Sequence, residues 1–277
     1  THSTWALADH DAFVMLFISV GFMYWLRAVK YAGSARISKT TSPHPLSFVR
    51  AFHDVAANRQ AALANAALAG VAFGIVSLGW KGFVVGPSIL FLAYALQVAL
   101  NMFRRRDSTT LSVMFLVMLT TTFLMGLPFY AHPQLNLVFD STGLQPFLFI
   151  FGFTIAIAFV TTGFRDKPWL LVLGTLTAVA AVFFTVLYVL KTLEISDAWD
   201  VLFTGSGYFT KTKIFGTVAE ANAPNRAQLF ASFGPITFLL ALIMGGGLLW
   251  RGLRHRNGTA LVFGVWVFAA TFMAWNA

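Results

Sequence analysis

The chain has 277 residues, 58% of them apolar and only 10% charged, with a mean hydropathy of +0.74. A soluble globular domain carries about 45–50% apolar and about 25% charged residues, so an ordinary soluble enzyme, a disordered chain and a fibrous repeat are excluded; the lack of cysteine excludes a disulfide framework and thiol catalysis. What remains is a polytopic membrane protein, because about 20 apolar residues cross a bilayer as a helix and this length has room for about eight such crossings.

The apolar runs predict an all-α fold with eight spans, over Ala12–Leu26, Ala61–Leu78, Phe83–Phe103, Leu111–Tyr130, Leu144–Thr161, Trp169–Leu190, Phe233–Trp250 and Thr259–Ala277. Residues 1–277 form one expected transmembrane domain, with a long loop over residues 191–232 inside it. No basic segment precedes the first run and no small-residue cleavage site follows it, so it does not read as a signal peptide. The start at Thr1 and the last run stopping at Ala277 lead us to expect that both ends continue in a longer protein.

In chain order, Asp9-His10-Asp11 stands where the chain enters the first span. Paired aspartates supply hard oxygen ligands for Mg²⁺ or Mn²⁺; carboxylates at a helix start also serve simply as caps for free N–H groups. After the turn signal Ser42-Pro43-His44-Pro45, the apolar residues Leu46, Phe48, Val49, Phe52 and Val55 recur at near-helical spacing. A short amphipathic surface helix is expected there, either contacting lipid or a partner, or only connecting two spans. Gly70-Val71-Ala72-Phe73-Gly74 is a G-x-x-x-G helix-packing pattern. The loop at 191–232 holds Thr217-Val218-Ala219-Glu220, flanked by Lys211, Lys213 and Arg226. These cations could pair with a lipid phosphate or be solvated charges. His132 and Asp140 have no supporting pattern, and Asn257-Gly258-Thr259 reads as a chance glycosylation match.

The charge of +9 is distributed by side. The loops at 27–60, 104–110, 163–168 and 251–258 carry fourteen Lys/Arg and three acids; residues 1–11, the turn at Trp80–Lys81 and the loops at 131–143 and 191–232 carry five Lys/Arg and seven acids. The positive-inside rule assigns the first set to the cytoplasm. The basic balance is then a topology signal, and nucleic acid is not an expected partner. The acids Asp9, Asp11, Asp140, Glu194, Asp197, Asp200 and Glu220 gather on the outer face. None lies well inside a span, which argues against an ion relay through the bilayer.

Taken together, these features resemble the membrane domain of the oligosaccharyltransferase catalytic subunit in its archaeal single-subunit form, the AglB family. The resemblance rests on Leu7-Ala8-Asp9-His10-Asp11-Ala12-Phe13, on Gly74–Gly82 leading into Leu92-Ala93-Tyr94-Ala95-Leu96-Gln97, and on Thr217-Val218-Ala219-Glu220, in that order and on one side. It runs over the whole chain. It implies a GT-C-type, metal-dependent inverting glycosyltransferase in the plasma membrane with its active face outside. Such an enzyme transfers an oligosaccharide from a dolichyl phosphate or pyrophosphate carrier to Asn of an Asn-x-Ser/Thr acceptor. In family terms Asp9, Asp11 and Glu220 match metal-ligand positions, with Asp9 and Glu220 catalytic, His10 beside them, and Mg²⁺ or Mn²⁺ as cofactor. Lys211, Lys213 and Arg226 are candidates for the donor phosphate. The family's upstream outer-loop aspartate, its phosphate-binding arginine and its soluble sequon-reading domain with a Trp-Trp-Asp motif are not among these residues; Trp199-Asp200 lacks the doubled Trp and precedes Glu220. The chain is therefore expected to be an internal transmembrane piece, inactive alone. The rival readings are a multi-span transporter, another membrane glycosyltransferase using a polyprenyl-phosphate sugar, and a structural membrane subunit.

Overall fold

The computed structural model describes residues 3–32, 47–79, 81–104, 106–130, 144–164, 167–193, 235–255 and 257–276. The protein is an all-α, multi-pass membrane protein: among the described residues there is no strand, and six helices are long and apolar enough to cross a bilayer. The helices are α1 (Ser3–Ala32), α2 (Ser47–Asn58), α3 (Gln60–Gly79), α4 (Val85–Phe103), α5 (Thr109–Tyr130), α6 (Leu144–Gly163), α7 (Trp169–Thr192), α8 (Pro235–His255) and α9 (Gly258–Asn276), with a 3-10 turn at Lys81–Val84 before α4. The six spanning helices are α1 and α3 to α7; α8 and α9 coincide with the last two expected spans. Lipid offers no hydrogen bonds, so an apolar chain of this length satisfies its backbone by closing every peptide within its own helix.

Most observed boundaries fall within a few residues of the expected ones. The largest departure is α1, which starts at Ser3 and continues to Ala32 rather than covering only Ala12–Leu26. Its C-terminal extension is held by packing, since Trp25, Ala28 and Ala32 are all buried. At the helix ends around Arg104–Thr109 and at Asn257 the chain uses local caps. Arg104 N–H donates to the carbonyls of Leu100 and Asn101 at the end of α4, and Arg106 N–H folds back to Asn101 O at 2.8 Å. Asp107 Oδ1 then accepts from Thr109 N–H at 3.0 Å and from its hydroxyl at 2.6 Å, opening α5. Asn257 Oδ1 accepts from Ala260 N–H at 3.2 Å, so the apparent glycosylation match is the N-cap of α9.

The chain divides into two compact units, Thr1–Phe183 and Phe184–Ala277. In the first, α1 packs along α3, α3 along α5, and α4 and α5 against α6. The Gly70/Gly74 pattern has the structural role expected of it: a Cβ at Gly70 would meet the Met118 carbonyl oxygen, and one at Gly74 the Met125 side chain. With that Cβ absent, Thr122 Oγ1 sits 3.2 Å from Gly70 O across the α3–α5 contact while donating to Met118 O at 2.9 Å. Phe73 is fully buried between α1 and α4; a Cβ at Gly21 or Gly86 would lie 2.7 or 2.6 Å from its ring. Nearby, Trp25 meets Phe115 edge-on at 5.2 Å, and Tyr94 stacks on Phe115 at 4.7 Å.

A short helix, α2, forms where one was expected after Pro45, and it packs against α3, α5 and α6. Val55 is buried while Phe52 stays exposed. Arg59 N–H donates to Val55 O and Ala62 N–H to Arg59 O, so α2 passes into α3 with a single-residue break. In the second unit α8 packs closely on α9, and a Cβ at Gly252 would lie 2.8 Å from Leu261 N.

Candidate functional site

Asp9, His10 and Asp11 lie in the backbone of α1, immediately before its apolar span at Ala12–Ala32; their side chains are outside the described residues. Arg27 and Lys30 stand near the other end of the same helix. At about 1.5 Å of rise per residue, Asp9 and Arg27 are roughly 27 Å apart along the axis, close to the ~30 Å hydrocarbon thickness of a bilayer. Along α1 the acids thus precede the apolar span and the bases lie in its last two turns.

The register of α1 constrains the candidate metal pair. The helix starts two turns before Asp9, so the triplet is inside it rather than at its cap position. Positions two apart on an α-helix lie on different faces, about 200° around the axis. Carboxylate oxygen suits a hard divalent cation, but on an unbroken helix one ion adjoins only one of the two positions. Use of both requires the first turns of α1 to open.

Glu220, Lys211, Lys213 and Arg226 lie outside the described residues, as do His132, Asp140, Glu194, Asp197 and Asp200. Among the described residues no group of three His, Asp or Glu could hold a metal ion; the candidate ligands Asp9, Asp11 and Glu220 are not among the side chains described.

Two features of the bundle had no signal in the sequence. The first is a buried hydrogen bond of 2.8 Å between the Tyr94 and Ser112 hydroxyls, joining α4 to α5. The second is the local satisfaction of the other buried hydroxyls. Ser77 donates to Gly74 O, Thr154 to Ile150 O and Thr122 to Met118 O, each on its own helix. Among the described residues only the buried Ser108 Oγ and Thr162 Oγ1 lack a hydrogen-bond partner, and both stand at the helix ends that join the basic connections. No Asp, Glu or His lies inside the six described spans; their polar groups include hydroxyls, the amides of Gln60, Asn65, Gln97 and Asn101, and Arg27 and Lys30 near the end of α1.

Family models, curated proteins and solved structures contain no match to this chain.

Proposed function

We propose that the protein is the membrane part of an archaeal-type oligosaccharyltransferase catalytic subunit, moving a dolichyl-linked oligosaccharide to Asn of an Asn-x-Ser/Thr acceptor at the outer face of the plasma membrane. The observation that carries this reading is the segregation of charge along α1, with Asp9 and Asp11 just before the span and Arg27 and Lys30 in its last two turns. A lipid-anchored donor and an external acceptor polypeptide meet at the boundary of such a span.

An amide nitrogen is a poor nucleophile because its lone pair is delocalised into the carbonyl. In this reading Asp9 and Glu220 accept hydrogen bonds from the acceptor amide N–H groups, orient it and reduce that delocalisation. A bound Mg²⁺ or Mn²⁺ stabilises charge developing on the departing phosphate. Asp9 or Asp11, together with Glu220, supplies its carboxylate oxygens. Lys211, Lys213 and Arg226 add positive charge for the donor phosphate. The lack of Asp, Glu and His inside the described spans disfavours the transporter reading, which calls for such groups along a path through the bilayer.

The test is metal-dependent glycan transfer to an Asn-x-Thr peptide, using the chain within its complete coding sequence. Asp9→Ala, Asp11→Ala and Glu220→Ala are each made; at least one of the two aspartate variants, and Glu220→Ala, should lose about a hundredfold or more of the rate. Near-normal transfer by all three would remove the assignment.

A further inference from the structure

We propose that the end of the first unit formed by the α4–α5 and α6–α7 connections binds one anionic glycerophospholipid of the adjoining leaflet. Arg104, Arg106 and Lys167 hold its phosphate, and Phe103 and Trp169 take its acyl chains. The rings of Phe103, the last residue of α4, and Trp169, the first of α7, lie 4.9 Å apart. Their contact brings together the ends of two connections whose described residues include Arg104, Arg106 and Lys167 against Asp107. Both rings remain open to the surroundings, at 60% and 41% exposure, so they face lipid rather than core.

The cations adjoin these rings in the chain, just beyond the apolar helices. Arg104 follows Phe103, and Lys167, exposed, is two residues before Trp169. The backbone N–H groups of Arg104 and Arg106 fold back onto the last turn of α4, and both residues are half-buried. Elsewhere at helix ends a single ring meets a single guanidinium, Tyr24 with Arg27 at 5.7 Å and Trp250 with Arg254 at 5.8 Å. A net negative headgroup complements the joined connections, whereas a zwitterionic one brings its own cation into them. This inference rests on the membrane fold and is independent of glycan transfer.

The test uses the full chain in detergent, offered equal amounts of dioleoylphosphatidylglycerol and dioleoylphosphatidylcholine, with retained lipid weighed by native mass spectrometry. Wild type should retain phosphatidylglycerol in clear excess; equal retention overturns the proposal and needs no variant. The variant R104Q/R106Q/K167Q should lose at least about fivefold of that retention, since one basic residue near the surface is worth roughly that factor. F103A/W169A should weaken both lipids. R251Q/R254Q, which removes a similar charge elsewhere, should keep the preference. An equal loss in this control would mean a diffuse basic field and overturn a local site. Displacement by free glycerol phosphate at the same concentration as the lipid would mean a phosphate-only site and overturn the lipid assignment.

Discussion

Tyr94 shows what one side chain contributes in the interior of this bundle. Its ring stacks on Phe115, and its hydroxyl pairs with Ser112, which is fully buried. Tyr94→Phe should lower stability by about 1 kcal/mol, because Ser112 is left without that partner. Ser112→Ala should cost a similar amount, and the double variant little more than either. Thermal unfolding in one detergent measures the cycle; additive losses would show that the two hydroxyls are not coupled. The partnership is invisible in the sequence, where the two residues lie on either side of a charged connection. Asp9 and Asp11 are the opposite case: obvious in the sequence, yet constrained by register. On a continuous α1, Asp9→Asn and Asp11→Asn should affect Mn²⁺-dependent activity unequally, by about tenfold or more, because only one position adjoins a given ion. Equal losses would show that the first turns of α1 open when the ion binds.

At the scale of elements, the contact between α3 and α5 depends on the absence of a side chain. Gly70→Val places branched carbons against the Met118 carbonyl and should separate the helices, costing about 1–3 kcal/mol or preventing folding. Gly152, in α6, has open space around its would-be Cβ. Gly152→Ala should therefore be neutral or raise stability by up to about 1 kcal/mol through helix propensity. Melting temperatures of the two variants make the comparison; similar behaviour would contradict the packing. The G-x-x-x-G pattern was readable because small residues four apart form a stripe on one helix face. The cap made by Asn257 was not, because the same three residues also spell a modification site. Asn257→Ala should cost α9 about 1 kcal/mol.

At the scale of the molecule, the proposed function depends on the sidedness of charge. The chain contains no cysteine, so single-cysteine variants report sidedness without background. Asp9→Cys and Glu220→Cys should react with a membrane-impermeant maleimide in intact cells, and Lys167→Cys should react only after the cells are opened. Labelling of Asp9→Cys and Glu220→Cys on opposite faces, or of both only inside, would end the glycosylation proposal. The candidate site was legible only as a set of residues on one expected side. Glu220 and its neighbouring cations fall outside the described residues, and residue order alone does not determine how a loop meets a helix end.

The helical class, the approximate limits of the spans and the separation of acid-rich from base-rich loops followed from the amino-acid order alone. They depend on chain-local physics: a bilayer leaves an apolar segment no partner for its peptide groups except itself, and its thickness sets the segment length. Which faces of those helices meet was decided only by the tertiary structure. Lipid-facing and core-facing side chains are equally apolar here, so hydrophobicity does not mark the inner face. Only the packed bundle places Phe73 against Gly21 and Gly86, Tyr94 against Ser112, and Phe103 beside Trp169, because these contacts require each helix's rotation and depth relative to its neighbours.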